Sequence, residues 1–140
     1  MERISPEQAL EKMNEGYLYL DVRSTQEFEA GHPQGAYNIP LLHMTPEGMQ
    51  PNPDFMRVVE ANFPKEQKLV LGCKAGGRSL RAAQMLEAAG YRDILDQRAG
   101  YIGAADASGQ IVEQGWSKRN LPIATQAESG RSYGDLSQRA

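Results

Sequence analysis

Apolar and polar positions along this chain fall into two rhythms, and the switches between them mark the elements. Ala9, Leu10 and Met13 share one face of a helix opened by Ser5-Pro6-Glu7-Gln8. Ser5 is placed to cap it, Pro6 suits the first helical position and Gln8 closes a capping box. Gly16 ends it. Tyr17 to Val22 follows as a strand, with Asp21 and Arg23 two residues apart at its carboxyl end and so on the same side. Ser24 and Glu27 form a second capping box, which starts a short helix through about Ala30. Gly31-His32-Pro33-Gln34-Gly35 is a turn, and Ala36 to Ile39 is a short strand closed by Pro40. Residues 41–51, with Pro46, Gly48 and Pro51, read as a polar loop. Asn52-Pro53 caps a third helix carrying Phe55, Val58, Val59 and Phe63.

Leu69-Val70-Leu71 is a short buried strand that runs into Gly72-Cys73. After the break at Gly76-Gly77, Leu80, Ala83 and Leu86 share a face of a helix from Arg78 to Ala89, which Gly90 ends. Asp93 to Leu95 is another strand. The pattern weakens after Gly100. Gln110 to Glu113 reads as a small extra strand, and Trp116 with Leu121-Pro122-Ile123 as a final anchor. Residues 124–140 are polar and without periodicity, and are expected to be a disordered tail after a domain spanning residues 1–123. Strand and helix patterns alternate, which predicts an α/β fold with a parallel sheet and helices on both faces. In such sheets sites form beyond the carboxyl ends of the strands, where Asp21, Arg23 and Cys73 fall.

Composition narrows the functions. The 140 residues suffice for one core, and 40% hydrophobic with 24% charged residues is ordinary for a globular chain. A net charge of −3 argues against nucleic acid or an anionic membrane as the main partner, yet leaves room for a small anion at a local cluster of cations. There is no uninterrupted apolar run of membrane-spanning length and no secretory pattern at the N-terminus. The expected compartment is the cytoplasm, or an organelle interior if a transit peptide has been removed. The single cysteine excludes an internal disulfide, and one cysteine with two histidines makes no metal cluster of recognised spacing, so neither metal nor cofactor is expected.

The chemistry centres on Cys73-Lys74-Ala75-Gly76-Gly77-Arg78-Ser79, set between a strand end and a helix start. Two glycines allow backbone angles closed to other residues, so that successive N–H groups can turn inward as an anion nest. The helix adds its positive end, and Lys74 and Arg78 add full charges. An ordinary thiol, with a pKa of about 8.5, is only about 3% thiolate at pH 7. A helix terminus supplies up to about 2 kcal/mol in favourable geometry, enough to activate a thiol without a histidine base. The plain alternative is a small apolar residue finishing a buried strand. Such a cysteine needs neither the Gly-Gly turn nor the two cations. His32, in a glycine-rich turn, is expected to make a structural hydrogen bond and His43 to be solvated, while Tyr101 and Trp116 are expected to be packing anchors.

Cys73 to Ser79 resembles the active loop of rhodanese-like sulfurtransferases. Asp21-Val22-Arg23 with Glu27-Phe28, and Gly31 through Pro40, resemble two further motifs of that family, and Asn52-Pro53-Asp54-Phe55 and Gly76-Gly77-Arg78-Ser79 together look closest to its small single-domain plant and bacterial members. The resemblance covers about residues 3–123. It implies a central parallel sheet of about five strands. It also implies that Cys73 takes the outer sulfur of thiosulfate as a persulfide, releases sulfite, and passes the sulfur to cyanide or a thiol. Backbone N–H groups of Lys74, Ala75, Gly76, Gly77, Arg78 and Ser79 would hold the sulfur anion, Lys74 and Arg78 would attract the sulfonate, and Asp21 and Arg23 would brace the loop, by an ion pair or a hydrogen bond to its backbone. Partners would be a small anionic sulfur donor and a thiol or cyanide acceptor, with glutathione or a thioredoxin-like protein as candidates. The chain departs from the family pattern in having Ala99-Gly100 where Gly-Gly is expected, Gly103-Ala104 where an aromatic is expected, and Trp116 displaced by an insertion at Asp106 to Gly115, read as a hairpin or loop.

Three other functions are open to such a chain. A cysteine phosphatase or arsenate reductase uses a related nest, but needs a longer loop than Lys74-Ala75-Gly76-Gly77 for its oxyanion. A persulfide relay or redox-sensing module would hand sulfur to a partner protein. An inactive regulatory module would have no use for an intact Cys73 loop.

Overall fold

Leu69, Val70 and Leu71 are each fully buried, and the pleat of their strand sends them to opposite sides. Leu69 and Leu71 join one apolar cluster with Leu20, Val58, Val59, Ala83 and Leu86. Val70 joins the other with Ile4, Ala9, Tyr19, Phe28 and Trp116. A sheet buried on both faces is what the short uninterrupted apolar run requires.

The computed structural model describes residues 1–140. The elements in chain order are β1 (Glu2–Ile4), α1 (Pro6–Asn14), β2 (Leu18–Asp21), α2 (Thr25–Ala30), β3 (His32–Pro33), β4 (Tyr37–Asn38), β5 (Leu42–Thr45), β6 (Gly48–Pro51), α3 (Phe55–Asn62), β7 (Leu69–Gly72), α4 (Gly77–Ala88), β8 (Ile94–Gln97), β9 (Gly103–Ala105), β10 (Ile111–Gln114), a 3-10 turn at Trp116–Lys118, β11 (Ile123–Ala124) and α5 (Tyr133–Gln138). The central sheet has five strands in the order β1-β8-β7-β2-β4. Every ladder in it is parallel. This is the expected α/β architecture. Register pairs Asp21 with Gly72 and Leu71 with Asp96, so the carboxyl ends of β2, β7 and β8 stand side by side.

Both capping boxes form as the sequence predicts, Ser5 with Gln8 and Ser24 with Glu27. The structure differs from the sequence reading at four places. First, residues 41–51 are not a plain loop: β5 and β6 pair as an antiparallel hairpin, with Leu42 opposite Pro51 and Thr45 opposite Gly48. Second, β1 lies at the edge of the sheet, a strand too short to show a pattern. Third, Asn52 does not cap α3. Asp54 takes that position without a side-chain bond, while Asn52 Nδ2 donates to Pro40 O at 2.9 Å.

Fourth, residues 124–140 are ordered. α5 is capped by Ser132 and buries Leu136 completely in the cluster around Val58 and Val59. Asn62 Nδ2 donates to Leu136 O at 2.9 Å, and Asn38 N–H of edge strand β4 donates to Arg131 O at 3.0 Å. The segment covers the β4 edge of the sheet, where Arg131 O satisfies the Asn38 N–H. One buried leucine in a polar stretch carries no periodic signal.

Candidate active site

The loop at the end of β7 owes its shape to contacts with neighbouring backbone. Gly76 has φ +99°, and a Cβ there would sit 2.4 Å from Arg98 O. Gly100 has φ +68°, and its Cβ would sit 2.4 Å from Lys74 O. Both positions therefore demand glycine. The segment after Gly100 holds the loop from outside, through Tyr101 N–H to Cys73 O at 2.8 Å and Ile102 N–H to Lys74 O at 3.0 Å. Ala99 is fully buried with its N–H on Gln97 Oε1, so the alanine departure is accommodated and Gly100 supplies the glycine the loop needs.

Inside this loop, Cys73 is 2% exposed. Its Sγ accepts from Gly76 N–H at 3.1 Å and donates to Ser79 Oγ at 3.4 Å. The expected ring of amides from Lys74 to Ser79 is thus one formed N–H bond plus a hydroxyl, at the N-terminal end of the twelve-residue helix α4. The sulfur adjoins the core around Ala82 and Ala83 but also has polar partners of its own. Sulfur anion would gain from the amide and from the helix end together.

The expected roles of Arg78, Asp21 and Arg23 change. The Arg78 fork does not face the cleft as a free anion receptor. Nη1 and Nη2 donate to Glu27 Oε1 and Oε2 at 2.7 and 3.0 Å. Glu27 Oε1 also accepts from Ser24 N–H and Ser24 Oγ. Burial pushes the Glu27 carboxyl up, but the Arg78 and Ser24 hydrogen bonds outweigh it and hold it at about 2. One carboxylate therefore caps α2 and clamps α4. The sequence shows Glu27 only as half of a capping box, and its second role depends on which helix lies opposite.

Asp21 and Arg23 form a buried bidentate ion pair, with Nη2 to Oδ2 at 2.8 Å. Arg23 Nη2 also donates to Gly31 O at 2.7 Å, so this pair fixes the α2–β3 turn and makes no bond to the Cys73 loop backbone. It reaches the loop through Tyr101, whose ring lies 4.4 Å from the Arg23 guanidinium carbon and whose N–H holds Cys73 O. Tyr101 is thus part of the site's wall as well as a packing residue. His32 is buried, with Nδ1 2.7 Å from Phe28 O, as the turn implied. Trp116 is fully buried and donates to Pro122 O.

A cleft of about 390 Å³ opens beside the loop, walled by Arg23, Glu27, Gly31, Met44, Lys74, Tyr101 and Ile102. Lys74 stands exposed there, the one loop cation free to meet a substrate. A slightly larger cavity of about 430 Å³ lies between α2 and the C-terminal segment, with Glu29 its only charged wall residue. The cleft beside Lys74 is the better candidate, because two residues that flank the Cys73 loop, Lys74 and Tyr101, line it. The insertion forms the β9–β10 hairpin, starting earlier than expected, at Gly103, and Ile102 at its base borders the cleft.

A family model described as the rhodanese-like domain matches residues 5–105. The chain belongs to the rhodanese-like domain family. Among curated relatives of this rhodanese-like domain, thiosulfate sulfurtransferase 16, chloroplastic, of Arabidopsis thaliana is 36% identical over 107 residues, covering 76% of this chain and 79% of that protein. Thiosulfate sulfurtransferase 18 of the same plant is 33% identical over 123 residues, covering 86% and 82%. The senescence-associated protein DIN1 of Raphanus sativus is 36% identical over 115 residues, but the match covers 82% of this chain and 56% of that protein. The chain thus spans little more than half of some relatives. The crystal structure of Rv0390 from M. tuberculosis shares the fold with TM-score 0.75 at 24% identity, covering 90% of this chain and 98% of that one. No helix of this rhodanese-like domain is long and apolar enough to cross a membrane.

Proposed function

We propose that this domain is a sulfurtransferase that carries sulfane sulfur on Cys73. The Cys73 thiolate attacks the outer sulfur of thiosulfate or a related donor. The sulfur–sulfur bond of the donor breaks, sulfite leaves with the bonding pair, and a Cys73 persulfide anion remains. Cyanide or a thiolate then takes the outer sulfur and Cys73 departs as thiolate. The observation that carries this reading is the Gly76 N–H placed 3.1 Å from Sγ at the start of α4, which stabilises negative charge on sulfur in both steps. Lys74 is the residue for the sulfonate end of the donor. Arg78 and Glu27 hold the frame, and Asp21 with Arg23 supports Tyr101. The thiosulfate sulfurtransferase names among the relatives agree with this donor.

An Arg78 fork already filled by Glu27 also weighs against an arginine-dependent phosphatase or arsenate reductase. A second reading, persulfide delivery to a protein thiol, is favoured by the exposed apolar side chains on the two hairpins. Met44 and Met49 pair across β5–β6, and Met44 and Ile102 wall the cleft.

Intact-mass spectrometry after thiosulfate treatment tests the first step. One added sulfur on the wild type, equimolar sulfite, and neither in Cys73→Ser are expected. No added sulfur with several donors would defeat the proposal. A loaded domain that forms thiocyanate only slowly, but discharges rapidly to a protein thiol, would select the second reading.

A further inference from the structure

Beside the strand that leads into the loop, outside the lining of the cleft, lies a buried acid to which sulfur transfer assigns no part. Asp96 in β8 has no solvent exposure. Its Oδ2 accepts from Arg3 Nε at 2.8 Å. Its Oδ1 is the only buried side-chain oxygen or nitrogen in the chain without a hydrogen-bond partner. A buried orphan of this kind is costly to leave unpaired, so it calls for a proton or a donor. Burial pushes the Asp96 carboxyl up, against the opposing pull of Ser79 and Arg3.

Ser79 stands between this acid and the thiol. Its Oγ is 3.4 Å from Cys73 Sγ and 3.4 Å from Gly76 O, two long contacts that leave the hydroxyl poorly satisfied. Ser79 Oγ and Arg3 Nη2 meet the same Gly76 O, and Arg3 Nε bonds Asp96, which sets the hydroxyl beside the acid although no formed bond reaches Oδ1. The other groups facing this cluster are accounted for. Arg3 from β1 bonds Asp96 and donates through Nη2 to Gly76 O at 3.3 Å. Tyr19 from β2 is fully buried, which pushes its phenol up and keeps its proton in place. Arg78 from α4 is held by Glu27.

We propose that Cys73 and Asp96 share one proton through the Ser79 hydroxyl, with Asp96 holding it whenever the sulfur is anionic. The Cys73 S–H bond breaks and its proton passes to Ser79 Oγ. The Ser79 hydroxyl proton passes to Asp96 Oδ1, where an O–H bond forms. The serine ends unchanged, and one negative charge moves from Asp96 to Cys73. The orphan oxygen then donates to Ser79, and Ser79 and the Gly76 N–H both donate to sulfur. The cluster keeps the same total charge: the negative charge leaves Arg3, whose side chain is partly in water, for a sulfur that meets the Gly76 N–H and the helix end. When Cys73 later departs from its persulfide as thiolate, the same path returns the proton. Asp96 is in this scheme a positioning residue for the proton, acting through Ser79. Its use in turnover rests on the sulfur-transfer reading, but its test does not.

Infrared difference spectra at neutral pH decide the matter. Methyl methanethiosulfonate converts Cys73 to a neutral mixed disulfide, with methanesulfinate and one proton released. The wild type is expected to show the carbonyl stretch of a protonated carboxyl, and to lose it when Cys73 is blocked. Asp96→Asn should lack that band with or without reagent. Cys73→Ser should lack it untreated, which keeps the test valid if Asp96→Asn fails to fold. A band unchanged by blocking, or one that persists in Asp96→Asn, overturns the proposal. Band loss in a protein that takes no sulfur from any donor would defeat sulfur transfer and leave the shared proton standing. Sulfur loading without band loss on blocking would do the reverse.

Discussion

Replacing Glu27 by glutamine removes the charge that holds the Arg78 fork, and its cost follows from the geometry. Two charge-assisted bonds of 2.7 and 3.0 Å join side chains that are only 16% and 17% exposed. Holding the carboxyl at about 2 instead of the ordinary 4.5 corresponds to about 3 kcal/mol at neutral pH, at about 1.4 kcal/mol for each tenfold change in proton affinity. The folded-state pKa lies below the unfolded one, so the stabilisation is complete above about pH 4.5 and is lost as pH falls toward 2. Urea unfolding of the wild type, Glu27→Gln, Arg78→Ala and the double variant, at intervals from pH 7 to pH 2.5, measures it. With a urea slope of about 2 kcal/mol per molar, Glu27→Gln should lower the midpoint at pH 7 by about 1.5 M. The difference from the wild type should narrow steadily below pH 4.5. A coupling energy below about 0.5 kcal/mol at pH 7, the range of a screened surface pair, would refute the reasoning and return Arg78 to the list of substrate cations.

The remaining predictions concern the loop, the donor and the C-terminal segment. Gly76→Ala should abolish sulfur loading, because φ +99° and the approach to Arg98 O leave no room for a Cβ, whereas Gly77→Ala, with nothing within 4 Å, should load normally. Equal behaviour of the two alanine variants in the mass assay would contradict this. Lys74→Ala should raise the KM for thiosulfate about threefold, within the roughly 1 kcal/mol of an exposed ion pair, and leave an uncharged sulfur donor unaffected. Equal rises for both donors would remove Lys74 from sulfonate binding. Leu136→Ala should lower stability by about 2–5 kcal/mol, and deletion after Thr125 by at least as much, read by thermal unfolding. A truncated domain as stable as the full chain would show that α5 contributes nothing to the core.

Cys73, its glycines and the strand-to-helix setting were legible in the chain because they depend on neighbours in sequence. So were both capping boxes, the run Leu69-Val70-Leu71 and the alternation that implies a parallel sheet. What could not be read depends on residues brought together from afar. Glu27 and Arg78 meet across 51 positions, and Arg3 meets Asp96 across 93. Neither local spacing nor periodicity can report such a meeting, so in the sequence Arg78 reads as a free receptor for anions and Asp96 carries no signal. Leu136 likewise carries none, since a single apolar residue has no period until a neighbouring helix offers it a place. The chain by itself determined which side chain carries the chemistry and what kind of backbone surrounds it. Only the packed fold decided which charges are already paired, which oxygen is left alone, and how few donors reach the sulfur, because those follow from distances that sequence order does not encode.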